Sequence, residues 1–236
     1  MNVKDTFLKL TSKTYPYLYE EEVIKLLPIE LNKDSVGNYF YMVGDSKSIF
    51  TCHLDTASTI QESVTHIISD DYIKTNGDTI LGADDKAGLT IMLYMIENKI
   101  PGLYYFFIGE ESGGIGSSGI ANDALFSKYD RMISFDRRGI SSIITHQSGI
   151  RCCSEEFSII LQDELKKNGI NLYPDNSGIY TDSYEFINYI PECTNISVGY
   201  YNEHTIHEYQ NIKYLEDLCE ACCGVNWESI IPFRII

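Results

Sequence analysis

The sequence predicts an α/β protein, a three-layer αβα sandwich around a mixed, largely parallel central sheet. Three observations carry that reading. Short continuous apolar runs such as LYYFFIG alternate with longer amphipathic stretches such as KAGLTIMLYMIEN and SEEFSIILQDELKKNG, as expected of strands covered on both faces and joined by helical crossovers. The apolar runs repeatedly end in an acid or a histidine. The 236 residues, 44% hydrophobic and 22% charged, hold no internal repeat and no linker, which fits one domain over 1–236 with a single core.

Element by element, amphipathic spacing predicts helices over residues 3–13 and 20–27. NYFYMV and SIFTCHL read as strands joined by the polar turn Gly44-Asp45-Ser46, and VTHIIS and YIKTN as a hairpin around Asp70-Asp71. A helix opens after GADD at an acidic, cap-like position. LYYFFIG is a strand, SSGIANDALFSKY a helix, and RMISFD and SSIITHQ strands. SEEFSIILQDELKKNG is a helix closed by glycine, DSYEFINY a helix and TNISVGY a strand, with a last helix starting near residue 211.

The formal charge of −16 disfavours nucleic acid and anionic membrane as partners, since both would be repelled. The N-terminus lacks the apolar core of a signal peptide, and no stretch is long enough to span a bilayer. An odd count of seven cysteines without an exported context points to reduced thiols in a cytoplasm. Cys219, Cys222 and Cys223 have i, i+3, i+4 spacing, which places them on the apolar face of the final helix rather than in a metal site.

In open α/β sheets, ligands bind beyond the carboxyl ends of the strands. There the chain gathers His53 and Asp55 after SIFTCHL, Glu110 and Glu111 after LYYFFIG, Asp136 at the end of RMISFD, and His204 after TNISVGYY. Asp84 and Asp85 join them at a turn into a helix. Carboxylates converging on one edge repel unless cations lie between them. Imidazole plus carboxylate donors suit zinc, with cobalt or manganese as neighbours. Two divalent ions ligated by His53, Asp84, Glu111, Asp136 and His204, with one hydroxide, give a neutral cluster. Asp55, two residues beyond His53 on the same strand face, accepts the other imidazole N–H and fixes its tautomer.

In this order, HLD, GADDKAG, GEESGGIGS, SFDRRG and HTIHE resemble the motifs of the metal-dependent exopeptidase clan, over residues 53–208. That clan holds di-zinc aminopeptidases, peptidase T-like tripeptidases and a carboxypeptidase/deacylase group. The resemblance implies that His53 and Asp136 hold one metal, that Glu111 and His204 hold the other, and that Asp84 bridges both. It implies Glu110 as general base and a cis peptide between Asp84 and Asp85. HTIHE offers His204 and His207 as the last ligand, and the clan pattern, with Glu208 as its closing acid, fits His204. The 68 positions from Asp136 to His204 leave no room for a lid or dimerisation domain. The resemblance therefore runs to compact single-domain aminopeptidases, with Asp182 a structural counterpart and Tyr180 an oxyanion donor or a packing residue.

The activity implied is hydrolysis of an N-terminal peptide bond in a short peptide, with a free N-terminal amine held near the metals. The alternatives are an N-acyl amino acid deacylase or carboxypeptidase, and a non-catalytic relative used as an interaction domain. Arg137 and Arg138 follow a predicted ligand and read either as a clamp for a substrate carboxylate or as ion-paired surface groups. His66 and His146 read as structural or surface groups. GEESGGIGS lacks the lysine and spacing of a phosphate loop.

Overall fold

The structure, a computed structural model, describes residues 1–236. Asn2 caps α1 (Val3–Leu10) by accepting the Asp5 N–H, and the helix buries Val3, Phe7 and Leu10, the i, i+4, i+7 stripe read in the sequence. The helix expected over 20–27 closes early, as α2 (Glu20–Ile24). Leu26 and Leu27 bond three residues back, to the Val23 and Ile24 carbonyls, the tightening usual at a helix end, and Pro28 follows. The edge pair β1 (Asn32–Lys33) and β2 (Tyr39–Val43) leads into β3 (Ser48–His53), which is buried throughout. The expected hairpin forms from β4 (His66–Ile68) and β5 (Tyr72–Thr75). Then come α3 (Ala83–Glu97), buried at nearly every position, and the fully buried β6 (Gly102–Phe107).

The helix expected over 117–129 is broken into α4 (Ile115–Ile120) and a separate 3₁₀ turn, Ala124–Lys128. Asp123 explains the break: its carboxylate accepts the Leu125 N–H, a local bond that competes with continuing the helix. β7 (Arg131–Arg137) follows, then β8 (Ser142–Ile144) and the small hairpin of β9 (His146–Gln147) and β10 (Ile150–Arg151). The single strand expected over 141–147 is thus interrupted at Thr145. Its N–H donates to Asp175 and its carbonyl accepts from Cys152, which ties the chain to two different segments. Ser154 caps α5 (Glu155–Lys167), and β11 (Tyr173–Asp175) was not foreseen. The helix expected at 182–189 is only a 3₁₀ turn, Asp182–Phe186, ahead of β12 (Glu192–Ser197). β13 (Tyr200–Tyr201), β14 (Tyr209–Asn211) and α6 (Ile212–Gly224) complete the chain's regular elements.

The main sheet has eight strands in the order β1-β2-β6-β3-β7-β12-β8-β11. Its centre, β6-β3-β7-β12, is parallel, and antiparallel pairings flank it. α1, α3 and α6 pack together over one face, with α5 on β8 and β11, while α4 and the Asp182–Phe186 turn cover the other. The expected three-layer α/β architecture is therefore present. A second sheet, β13-β14-β5-β4, is wholly antiparallel and stands at the end of the molecule where the site lies. The six most buried cysteines, Cys219 and Cys222 among them, are in the core.

α3 lies close against β7 because Gly88 faces the sheet. A Cβ at that position would stand 2.2 Å from the Phe135 carbonyl oxygen and 2.6 Å from the Asp85 carboxylate. Backbone cannot yield as a side chain can. Gly88→Ala is expected to cost about 2–4 kcal/mol, the upper range for overpacking, read as a lowered denaturation midpoint with unchanged m-value. An unaltered midpoint would contradict this packing.

Candidate metal centre

The parallel register of β3 and β7 sets the first two predicted groups side by side. Thr51 pairs with Ser134, and their hydroxyls are 2.9 Å apart on one face. Two residues further on, with side chains on the same face, come His53 and Asp136, with 3.7 Å between His53 Nε2 and Asp136 Oδ1. On the other side of β3, β6 pairs Phe107 with His53 and then turns over into Glu110 and Glu111. Asp84 enters at the start of α3, and the Asp84–Asp85 peptide is cis. His204 comes from the loop between β13 and β14, which the second sheet holds over the strand ends.

The structure thus brings together all five residues expected to ligate metal. Asp84 is the hub. Its Oδ1 is 2.9 Å from His53 Nε2 and its Oδ2 is 3.1 Å from His204 Nε2. His204 Nε2 also lies 2.8 Å from Glu111 Oε1, yet without hydrogen-bond alignment, and this buried oxygen has no donor. Donors on a tetrahedral ion with ~2.0–2.1 Å bonds stand about 3.3 Å apart, so the spacings suit nitrogen and oxygen atoms sharing ions. The residues fit two divalent cations: three carboxylates, two imidazoles and an orphaned carboxylate oxygen.

Two trios of donor atoms lie mutually within 4.8 Å: His53, Asp84 and Glu111, and His53, Asp85 and Asp136. Asp85 is nevertheless better read as scaffold. One of its oxygens accepts the Gly88 N–H at 3.0 Å and the other the His53 N–H at 3.3 Å. His207 stands apart from the acids: its N–H donates to Thr205 and its carbonyl accepts from Asn202.

Asp55 does more than the sequence indicated. His53 Nδ1 donates to the Asp55 backbone carbonyl at 3.1 Å, and the Asp55 Oδ1 lies 3.4 Å from the same nitrogen, as expected of a residue that orients the ring. The same carboxylate accepts the backbone N–H groups of Glu110, at 3.1 Å, and Glu111, at 3.2 Å. One buried acid therefore ties a ligand imidazole to the backbone of the glutamate pair. Asp136 is held by hydroxyl donors that sequence reading missed, Thr181 at 2.6 Å and Tyr200 at 3.0 Å. Asn195 clasps its backbone, donating to the Asp136 carbonyl and accepting its N–H. Buried Glu208 accepts N–H bonds from Leu81, Gly82 and Asp84, at 2.8, 2.8 and 3.1 Å, and so fixes the Asp84 turn. Buried Lys86 donates to the Leu54 and Asp55 carbonyls on the other side. HTIHE and GADDKAG contain Glu208 and Lys86, but their partners are backbone groups more than 30 positions away, which no local spacing reveals.

Asp182 is buried with an orphaned Oδ1, and the Tyr180 hydroxyl is also buried without a partner. A Cβ on Gly114 would collide with that hydroxyl, at 1.7 Å, so glycine is what lets Tyr180 lie over the loop. His66 Nε2 is 2.9 Å from the Thr11 hydroxyl, and His146 Nδ1 is 3.0 Å from that of Thr145. Both serve local structure.

No protein-family model matches the chain. Among curated proteins, the uncharacterized Bacillus subtilis protein YqjE is 39% identical over 94 residues, 37% of this chain. The chain spans about a quarter, 25%, of that relative's length. Solved structures match far more of it. Aminopeptidase PepT of Bacillus cereus superposes with a TM-score of 0.81 at 17% identity, over 96% of this chain and 97% of that one. A Staphylococcus aureus tripeptidase gives 0.73 at 18% identity, over 95% and 97%. The Pyrococcus horikoshii TET1 peptidase gives 0.73 at 16%, over 95% and 100%. The chain has the metal-dependent exopeptidase fold.

On this exopeptidase fold the two histidines and Glu110 hold protons when no cation is present. Burial would depress the His53 imidazole, but its bonds to Asp136, Asp55 and Asp84 outweigh that and hold it well above its ordinary range. Asp84 and Glu111 push His204 up to about 11. Burial lifts Glu110 to about 10 and, together with the neighbouring Asp84 charge, lifts Asp136 to about 6. Bound ions need neutral imidazoles, so loading at pH 7 is expected to release the protons of His53 and His204, with a third from Glu110. Because these groups titrate above neutrality in the free protein, affinity rises with pH, about tenfold per unit for each proton released. Zinc titration calorimetry in buffers of different ionisation heat reads this directly. A heat independent of buffer would contradict it.

Proposed function

We propose that the chain is a two-metal aminopeptidase that removes N-terminal residues from short peptides. The observation that carries this reading is Asp84, whose two oxygens reach two different histidines, one flanked by Asp136 and the other by Glu111. His53 and Asp136 would hold one ion and Glu111 and His204 the other, with Asp84 shared between them. Such ions, zinc for this donor set with cobalt or manganese as substitutes, would supply Lewis-acid chemistry, polarisation of the scissile carbonyl and a more acidic water.

The chain's own groups do the rest. Asp55 holds the His53 Nδ1 proton, leaving Nε2 free as a donor atom. Glu110 takes the proton of the attacking water on its carboxylate and returns it to the departing amine. Its burial keeps that carboxylate out of bulk water, and the bond from its N–H to Asp55 fixes its backbone. The Tyr180 hydroxyl, lacking any protein partner, is free to donate to the oxyanion as it forms.

The seven cysteines are all free, which supports a reducing cytoplasm. No helix is long and apolar enough to cross a membrane. A non-catalytic role is disfavoured because every ligand type is present and assembled. The deciding experiment compares zinc-reconstituted protein on free-amine peptides and on their N-acetylated forms. An aminopeptidase cleaves only the first. Cleavage of only the acetylated peptides would replace this reading by the deacylase one, and no cleavage after confirmed metal loading would remove both.

A further inference from the structure

An apolar groove of about 660 Å³ lies at the end of the sheet away from the metal donors. The donors follow the carboxyl ends of β3, β6 and β7, whereas the groove stands where Val43 of β2 pairs with Gly102, the first residue of β6. α3 connects the two ends, with Asp84 near its start and Ile96 near its finish, about 15–18 Å apart at 1.5 Å per residue. Leu10 of α1 and Leu93 and Ile96 of α3 are buried and form the floor. Half-buried Leu26 and Ile29 and exposed Met42 line the mouth. β1 covers the edge of β2 only at Tyr39 and Phe40, so no strand lies along Met42 and Val43.

The charges around this groove run against those of the chain. The protein carries 34 acids against 18 lysines and arginines, yet the groove is lined by two lysines, Lys9 and Lys99, and one acid, Glu97. Glu97 pairs with the terminal amine of Met1. The ion-paired lysines of the chain are Lys13, Lys33, Lys167 and Lys213; Lys9 and Lys99 are not among them. Lys9 gives one of its three N–H donors to the Leu26 carbonyl, at 2.7 Å, and keeps two open. Lys99 takes a left-handed backbone, φ 58°, just past the end of α3, where glycine is usual. That conformation disfavours a side chain, and from it Lys99 lines the groove.

We propose that this groove binds a medium-chain aliphatic carboxylate, with its chain along Leu10, Leu93 and Ile96 and its head at Lys9 and Lys99. An apolar trough with unpaired ammonium groups at its mouth complements an aliphatic body that ends in an anion. The volume lies within the ~300–1,000 Å³ of small-molecule sites. Its 15 lining residues fall short of the ~20–30 a side in a stable protein interface, which favours a small molecule over a second copy of the chain. The inference stands apart from the aminopeptidase reading, since no metal donor lines the groove.

The test is calorimetric titration of the zinc-loaded protein with octanoate, decanoate and dodecanoate below their micelle concentrations, and with decanol. One site per chain is expected, with affinity rising about fourfold per methylene as the chain is buried. Decanol is expected to bind about tenfold more weakly than decanoate. Lys9→Gln combined with Lys99→Gln should level acid and alcohol. Met42→Glu sets an anion at the mouth and should weaken decanoate at least tenfold. All three side chains are exposed, so both variants should melt like the wild type. A carboxylate held by zinc instead would ignore chain length and both variants, and that result overturns the proposal. Absence of saturable binding, or equal binding of acid and alcohol by the wild type, also overturns it. A dimer seen by sedimentation and split by Met42→Glu would give the groove to a second copy. Binding of an N-acetylated acidic peptide but not of decanoate would give the β2 edge to an added strand. Either outcome removes the carboxylate site.

Discussion

Glu110→Gln is expected to lower kcat by about 10²–10⁴, the contribution of a positioned general base, while the protein still binds two zinc ions per chain. The amide keeps the shape of the carboxylate and its backbone N–H bond to Asp55, but it cannot accept the water's proton. Glu111→Ala is expected to behave differently. Glu111 is the carboxylate beside His204 Nε2, with a buried oxygen that no protein donor satisfies. Its removal takes a ligand from one ion, so metal analysis after dialysis should find one zinc per chain instead of two. The contrast between neighbours is the informative result. Retained activity in Glu110→Gln, or zinc loss in that variant equal to that in Glu111→Ala, would mean that the two glutamates do not divide base and ligand between them.

The second large effect is expected at Asp84. Asp84→Asn removes the charge at the only side chain that reaches both histidines. An amide also offers one acceptor where the carboxylate offers two. Both zinc sites should therefore weaken together, by more than the ~10–100-fold typical of substituting a group that merely orients a ligand. Competition with a chromogenic chelator measures this. Because Glu208 holds the Asp84 turn through three backbone N–H groups, the variant should still fold, with the metal-free protein denaturing earlier than the wild type because protonated His53 and His204 lose their shared counter-charge. Loss of only one zinc would show that Asp84 serves a single ion.

The strand-and-helix alternation was legible because burial sets it locally: β3 and β6 are buried at all six of their positions, β6 reads as an unbroken apolar run, and β3 holds no acid, lysine or arginine. The ends of elements were less legible where a side chain competes with the backbone. Asp123 stops a helix that composition alone would continue, and Thr145 divides a strand between two partners. β1, β9, β10, β11, β13 and β14 are two or three residues each, too short to show a period. Their pairing comes from distant segments, as when β14 lies along β5.

The candidate site divides in the same way. The residue types and their places after strands came from the sequence, because the C-terminal ends of parallel strands share one edge of the sheet. His53, Asp84, Glu110, Glu111, Asp136 and His204 were all named on that ground or by the motifs they lie in. The motif pattern already favoured His204 over His207, but the distances required the second sheet that carries the loop between β13 and β14. So did everything that buried backbone groups do for the site: Asp55 under both glutamates, Glu208 beneath Asp84, Asn195 around Asp136. A carboxylate's type is written in the chain. Which N–H groups it satisfies depends on which segments burial forces together, and those lie up to 127 positions apart. The sequence determined a sheet edge rich in metal donors, and tertiary packing decided that one of them, Asp84, stands between two histidines, His53 beside Asp136 and His204 beside Glu111.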